Sequence, residues 1–199
     1  LRLIPQALNL PLVLKTFNCC FNSSMMRKRP KGLFFIYFCE KFGLMKNNDI
    51  LRRLRYAFDF GDDKMMKIFT MGGFEVNRAD LSDYLKKEED EKHKPLNDRI
   101  FAHYLNGFIV NFRGPKEGGM AEPEKQLNNN IIFRKIKIAL NLKDEDIIDI
   151  YDQVGMKISK HEISAIFRNP SQPQYRECKD QFLRNFLEGL VKKHRSAAS

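Results

Sequence analysis

Cysteine is scarce in this chain and badly placed to staple a fold. There are four, and three of them (Cys19, Cys20 and Cys39) fall within the first 44 residues. Only Cys178 lies beyond, and no CxxC occurs. A single body cysteine cannot close a disulfide within the body, so a disulfide scaffold is excluded there and a reducing compartment is expected. Long apolar runs are missing too. None approaches the roughly 20 residues that cross a bilayer, so no integral membrane association is expected. Neither a basic n-region nor a small-residue cleavage site is clear at the start.

Motifs for chemistry are equally sparse. There is no Walker A sequence and no GxGxxG. His161-Glu162 begins like HExxH, but the second histidine position holds Ala165, so that zinc motif fails. His93, His103 and His194 form no local cluster with Cys178. No cofactor or metal is therefore expected. An RNP signature, a zinc finger and a helix-turn-helix pattern are also missing. Gly118-Gly119 reads as a flexible linker turn.

What is present is charge and periodicity. Apolar residues make up 43% and charged residues 30%, which argues for a folded chain over a disordered one. The formal net charge is +10. It is unevenly spread, because residues 1–44 carry seven Lys or Arg against one acid. An argument for anionic partners from total charge would thus rest mainly on that segment. Met45 precedes the first patterned stretch, so residues 1–44 are expected to be upstream translated sequence or a poorly packed extension. The alternative is a membrane-surface arm with Phe34, Phe35 and Phe38 beside the basic run 27–31.

From Asn47 to Gly107 the chain matches itself at a fixed offset of 82 positions without a gap. Asn47, Asn48, Ile50, Arg52 and Ala57 meet Asn129, Asn130, Ile132, Arg134 and Ala139. Gly73, Asp98, Leu105 and Gly107 meet Gly155, Asp180, Leu187 and Gly189. This is an internal duplication. Two similar units are expected, over 45–113 and 128–195, with a linker at 114–127. Each reads as helical. Ile50, Leu54 and Phe58 recur every four residues, as do Ile132, Ile136 and Leu140, and this spacing makes an apolar stripe. Asp62 and Asp144 are placed as N-caps, with Gly73 and Gly155 as helix stops. Asn77 and Ser159 open the third helix, and Ser159 with Glu162 forms a capping box. The fourth helix carries Gly107 or Gly189, read as a close helix contact in preference to a ligand site. The fold expected is all-α, with two tandem, duplicated helical units packed together.

The residues NNDILRRLRYAF, the LNG of 105–107, EPEKQLNNNI and RECKDQFLRNFLEGL resemble the bacterial YehS-like family, over roughly 45–195. The resemblance implies a small, mostly helical, cytoplasmic bacterial protein with a tandem domain of unknown function. It carries no catalytic residue or cofactor onto this chain.

The function expected first is a noncatalytic helical interaction module, its partner a protein or a nucleic acid. Arg52, Arg53 and Arg55 correspond to Arg134, Lys135 and Lys137, and two such basic helices could track phosphates. Asn47, Asn48, Asn129 and Asn130 read first as helix starts, and secondly as contacts to a base edge or a peptide backbone. An enzyme is the third possibility. It would need Cys178, a histidine and an acid gathered from separate helices, or Asp98 and Asp180 acting as paired carboxylates rather than as helix-end acids.

Overall fold

The computed structural model describes residues 45–195 except 116, 117 and 120. The expectations for residues 1–44, with their three cysteines and the aromatic arm, lie outside the described residues. Eight helices and no strand are found among the described residues. In chain order they are α1 (Asn47–Ala57), α2 (Asp62–Met71), α3 (Arg78–Leu85), α4 (Asp98–Arg113), α5 (Asn129–Ala139), α6 (Asp144–Asp152), α7 (Lys160–Phe167) and α8 (Asp180–Arg195). The second four repeat the first four in order, so the all-α duplicated fold is observed.

The apolar stripe fixes the first helix of each repeat. Ile50, Leu51 and Leu54 are fully buried on α1, as are Phe133 and Ile136 on α5. Each such side chain contributes roughly 1.5–3 kcal/mol by leaving water. Both helices end at a left-handed residue that is not glycine, Asp59 at φ 53° and Asn141 at φ 52°. Asp and Asn adopt that conformation more readily than other side chains.

Asp62 and Asp144 are not N-caps, as the sequence suggested. The caps are Gly61 and Lys143, and the two acids are first-turn residues. They are drawn off the cap by cations of the preceding helix. Arg55 Nη2 donates to Asp62 at 2.7 Å and Lys137 Nζ to Asp144 at 2.5 Å. Gly73 does stop α2, at φ 77°, with the Phe74 N–H returning to the Phe69 carbonyl at 3.1 Å. That six-to-one bond is the Schellman arrangement. Gly155 and Met156 repeat it behind α6. Asn77 and Ser159 cap the third helices as expected.

Tertiary packing crosses between the repeats. Within each repeat the second helix packs on the fourth, α2 on α4 and α6 on α8. The first helix instead lies along the fourth helix of the other repeat, α1 on α8 and α5 on α4. The result is a pseudo-twofold pair with one continuous core of buried residues drawn from both halves. Two clefts related by this symmetry follow. One lies between α4 and α5, and the other between α1 and α8.

Candidate functional site

The paired asparagines hold each repeat together from inside. Asn48 is 3% exposed and Asn130 is 5% exposed. The Asn48 amide donates to the Tyr84 carbonyl at 2.8 Å and the Lys94 carbonyl at 2.9 Å, and its Oδ1 accepts the Leu96 N–H at 2.9 Å. Asn130 makes the same three bonds 82 residues on, to Ile166, Arg176 and Cys178. Their amide groups are fully used, so neither can contact a base or a foreign backbone. Asn47 and Asn129 are half-buried. Each donates to the acid that begins its repeat's fourth helix, at 2.8 Å to Asp98 and 2.6 Å to Asp180.

Those acids face outward from no shared cleft. The second oxygen of Asp98 accepts the Leu127 N–H at 2.9 Å, and that of Asp180 accepts the Met45 N–H at 3.0 Å. Each acid therefore pins the stretch of chain that leads into the first helix of the other repeat. The geometry is that of a clasp, and the paired-carboxylate alternative does not describe it.

The repeated cations are also largely spoken for. Arg52 donates to the Lys86 carbonyl at 2.7 Å and pairs with Asp49. Arg134 donates to the Phe167 carbonyl at 2.7 Å. Arg55 bonds the Phe60 carbonyl at 3.0 Å as well as Asp62, and Lys137 also stands 4.5 Å over the Phe167 ring. Their recurrence has an internal cause: they tie the first helix to the elements that follow it. A free basic stripe along α1 and α5 is not what the fold presents.

Arg53 and Lys135 differ from the rest, because they point into the two symmetry-related clefts. Lys135 is 7% exposed. Its Nζ lies 2.9 Å from Glu124 Oε2 and bonds Asn106 Oδ1, while the Asn106 amide donates to the Ala121 carbonyl at 3.0 Å. Glu124 and Ala121 belong to the linker, so the α4–α5 cleft is covered by the chain itself. Beside these contacts a cavity of about 390 Å³ remains, lined by Asn106, Val110 and Ile138 and by Gly114, Pro115 and Gly119 of the linker. Across the pseudo-twofold, no described residue spans the α1–α8 cleft. It has a volume of about 350 Å³ and is lined by Asp49, Arg52, Arg53, Tyr56, Glu188 and Val191. Arg53 forms no hydrogen bond or ion pair with a described residue. Burial lowers its pKa, with Arg184 adding to the effect, while Glu188 and Asp49 oppose it.

Cys178 is 2% exposed, and burial, followed by Asp180, pushes its thiol up to about 12. Its sulfur lies 3.9 Å from the Lys179 carbonyl, and no histidine bonds it. A thiol in that setting is protonated and inert. Alkylation of the native chain at pH 8, read by peptide mass mapping, should leave Cys178 unmodified while an unfolded control reacts fully. Comparable rates in the two samples would contradict the burial. No group of three or more potential metal ligands occurs among the described residues. None of their helices is long and apolar enough to cross a membrane.

A family model described as "Protein of unknown function (DUF1456)" matches residues 47–114 and 129–196. The chain belongs to this family. It is also 38% identical over 148 residues to the "Uncharacterized protein YehS" of Escherichia coli (strain K12), covering 74% of this chain and 95% of that protein. No solved structure matches it significantly. The two DUF1456 segments start 82 residues apart, so both asparagine pairs, both basic helices and both fourth helices fall within them.

Glu188, Tyr56, Asn106 and Glu124 were not singled out from the sequence. Glu188 had a faint signal, since it stands 82 residues after Asn106 on an otherwise well-matched helix. A departure inside a repeat is informative only once it is known to face a cleft. Glu124 lies in the EPEKQLNNNI stretch that carries the family resemblance, but it precedes the region over which the two repeats match, so the repeat did not mark it.

Proposed function

We propose that this DUF1456 protein is a noncatalytic interaction module whose α1–α8 cleft takes up an extended segment of another protein. The supporting observation is that the chain's own linker already lies across the symmetry-related α4–α5 cleft, through Ala121 and Glu124. The same scaffold, repeated, offers a second such cleft, which no described residue spans. The reading treats 45–113 and 128–195 as the two units and 114–127 as the clasped linker. It places the protein in the cytoplasm, where the single body cysteine stays reduced.

A nucleic-acid reading has less behind it. Arg52, Arg55, Arg134, Lys135 and Lys137 already have internal partners. Phosphates would have to displace these bonds, and the counterion release that drives such binding would be reduced.

The test is selection of peptides from a random library on the immobilised full chain, followed by binding to a Val191→Arg variant. Val191 lines the cleft and is only partly buried, so the longer side chain should block the site without disturbing the core. Enriched peptides should lose binding to the variant. Absence of enrichment, or equal binding to both chains, would overturn the reading.

A further inference from the structure

We propose that the pocket where the C-terminal ends of α4 and α8 meet the turn after α5 binds a small aromatic carboxylate. This site is separate from the α1–α8 cleft and does not rest on the peptide-binding reading. The two repeats differ here in a telling way. In the first, Phe58, Phe60, Phe108 and Phe112 form one cluster, with ring centroids between 4.8 and 6.4 Å apart. The residues 82 positions on are Leu140, Leu142, Leu190 and His194. All four line a pocket of about 380 Å³. Three phenyl rings are replaced by shorter aliphatic chains and the fourth by an imidazole, and the pocket opens at the place where the first repeat packs its rings. Ala139 and Ile150 add to its apolar wall.

Charge differs in the same direction. Beside the phenylalanine cluster, Arg195 donates to the Tyr56 carbonyl at 2.8 Å and to Asp59 at 2.9 Å. Its counterpart Arg113 makes the matching backbone bond, to the Ile138 carbonyl at 3.4 Å. The place of Asp59 is taken by Asn141, and no carboxylate among the described residues lines the pocket beside Arg113. Asn111 is replaced by Lys193, which brings a second cation to the rim. One repeat thus supplies rings and a carboxylate from its own chain, and the other presents smaller side chains and two cations. An aromatic acid carries both missing parts. Its ring gains by leaving water for the apolar wall. Its carboxylate meets Arg113, whose planar guanidinium can hold it through two parallel N–H groups and so fix its orientation.

The probe is hydrocinnamate, titrated into the full chain with isotope-labelled Leu and Ile methyl groups and followed by NMR. Two controls separate the parts of the ligand. Hydrocinnamamide keeps the ring and loses the charge, and propionate keeps the charge and loses the ring. Hydrocinnamate should bind with a dissociation constant on the order of 1 mM, as its size allows. It should shift the methyl signals of Leu140, Leu142, Leu190 and Ile150. The amide should bind about fivefold more weakly, the upper worth of a solvent-exposed ion pair. Propionate should not saturate the site. Two substitutions copy the first repeat into the second. Leu142→Phe restores the ring of Phe60 and should block the acid and the amide alike. Asn141→Asp restores the carboxylate of Asp59 and should weaken the acid about fivefold while sparing the amide. The backbone accepts that change, since Asn141 has φ 52° and Asp59 has φ 53°. Arg113→Gln should also remove the preference for the acid.

Equal affinity for acid and amide on the unsubstituted chain, or acid binding that survives Leu142→Phe, would overturn the proposal. So would shifts confined to methyl groups outside the pocket, or the absence of saturable binding. Propionate binding as tightly as hydrocinnamate would also overturn it, leaving an adventitious ion only. Circular dichroism checks that each variant is folded. If one is not, the three probes on the unsubstituted chain and the positions of the shifted methyl groups still decide. None of these outcomes bears on the α1–α8 cleft, which the library selection and Val191→Arg test separately.

Discussion

Replacing Asn48 with Ala should lower the unfolding free energy by roughly 3–5 kcal/mol, although the change removes only a small polar side chain. Asn48 satisfies three backbone groups, the carbonyls of Tyr84 and Lys94 and the N–H of Leu96. Leu96 is itself 4% exposed, so water cannot readily replace the lost bond. Each buried backbone group left without a partner costs about 1–3 kcal/mol, and partial relaxation takes the sum to the lower part of its range. Asn130→Ala should match it, because the same three bonds recur. Chemical denaturation of the full chain measures both. A loss under about 1 kcal/mol in either variant would mean that water or local rearrangement satisfies these groups.

Asn48→Asp separates hydrogen bonding from shape. The carboxylate keeps the acceptor for Leu96 but turns its second oxygen toward the two carbonyls that Asn48 serves as donor. Burial and those dipoles hold the variant's folded pKa above the unfolded value of about 3.9. As pH rises past about 4, the unfolded chain gives up its proton first, and the folded variant binds more protons than the unfolded one. Stability then falls with rising pH until the folded pKa is passed. The Asp variant should be closest to Asn at pH 4–5 and worst near pH 8, whereas the Ala variant should show no added pH dependence. Parallel pH profiles for Ala and Asp would contradict this.

The legible part of the fold was whatever repeats with a period. The four-residue stripe of Ile50, Leu54 and Phe58, the glycine stops and the 82-residue offset together give helices, their order and the duplication. Helix caps were less legible. Asp62 has the right side chain for a cap, but Arg55 pairs with it, and that contact comes from the fold. The exchange of partners, with α1 on α8 and α5 on α4, leaves no trace in periodicity because the same apolar face would suit either partner. The candidate site was obscured for a related reason. Arg52, Arg53 and Arg55 look alike as letters, and only the cross-repeat packing makes Arg53 different. Asn48 looked like a helix start because its partners, Tyr84 near the end of α3 and Lys94 in the loop before α4, are 36 and 46 residues away.

Gly107→Ala should destabilise the protein by about 3 kcal/mol or more, even though helix propensity alone predicts a gain of about 1 kcal/mol. A Cβ at this position would lie 1.8 Å from the Ile68 carbonyl oxygen and 2.8 Å from the Gly72 nitrogen. These are backbone atoms of α2 and its C-cap, so no rotamer change can relieve the clash. The contact is mutual, since a Cβ on Gly72 would meet the His103 carbonyl oxygen at 1.9 Å. The glycine thus lets α2 and α4 approach backbone to backbone, and what it approaches is the protein's own chain rather than a ligand. Gly189→Ala should behave similarly, with the Ile150 oxygen 2.2 Å from the added carbon. Gly61→Ala is the matched control, because nothing lies within 4 Å of its added carbon and its φ of −70° suits any residue. In thermal unfolding of the full chain, Gly107→Ala and Gly189→Ala should each fall by roughly 10 °C while Gly61→Ala stays near the parent. If the helical variants melt at or above the parent temperature, propensity has won, α2 and α4 can move apart at little cost, and the close packing inferred for the repeat is wrong.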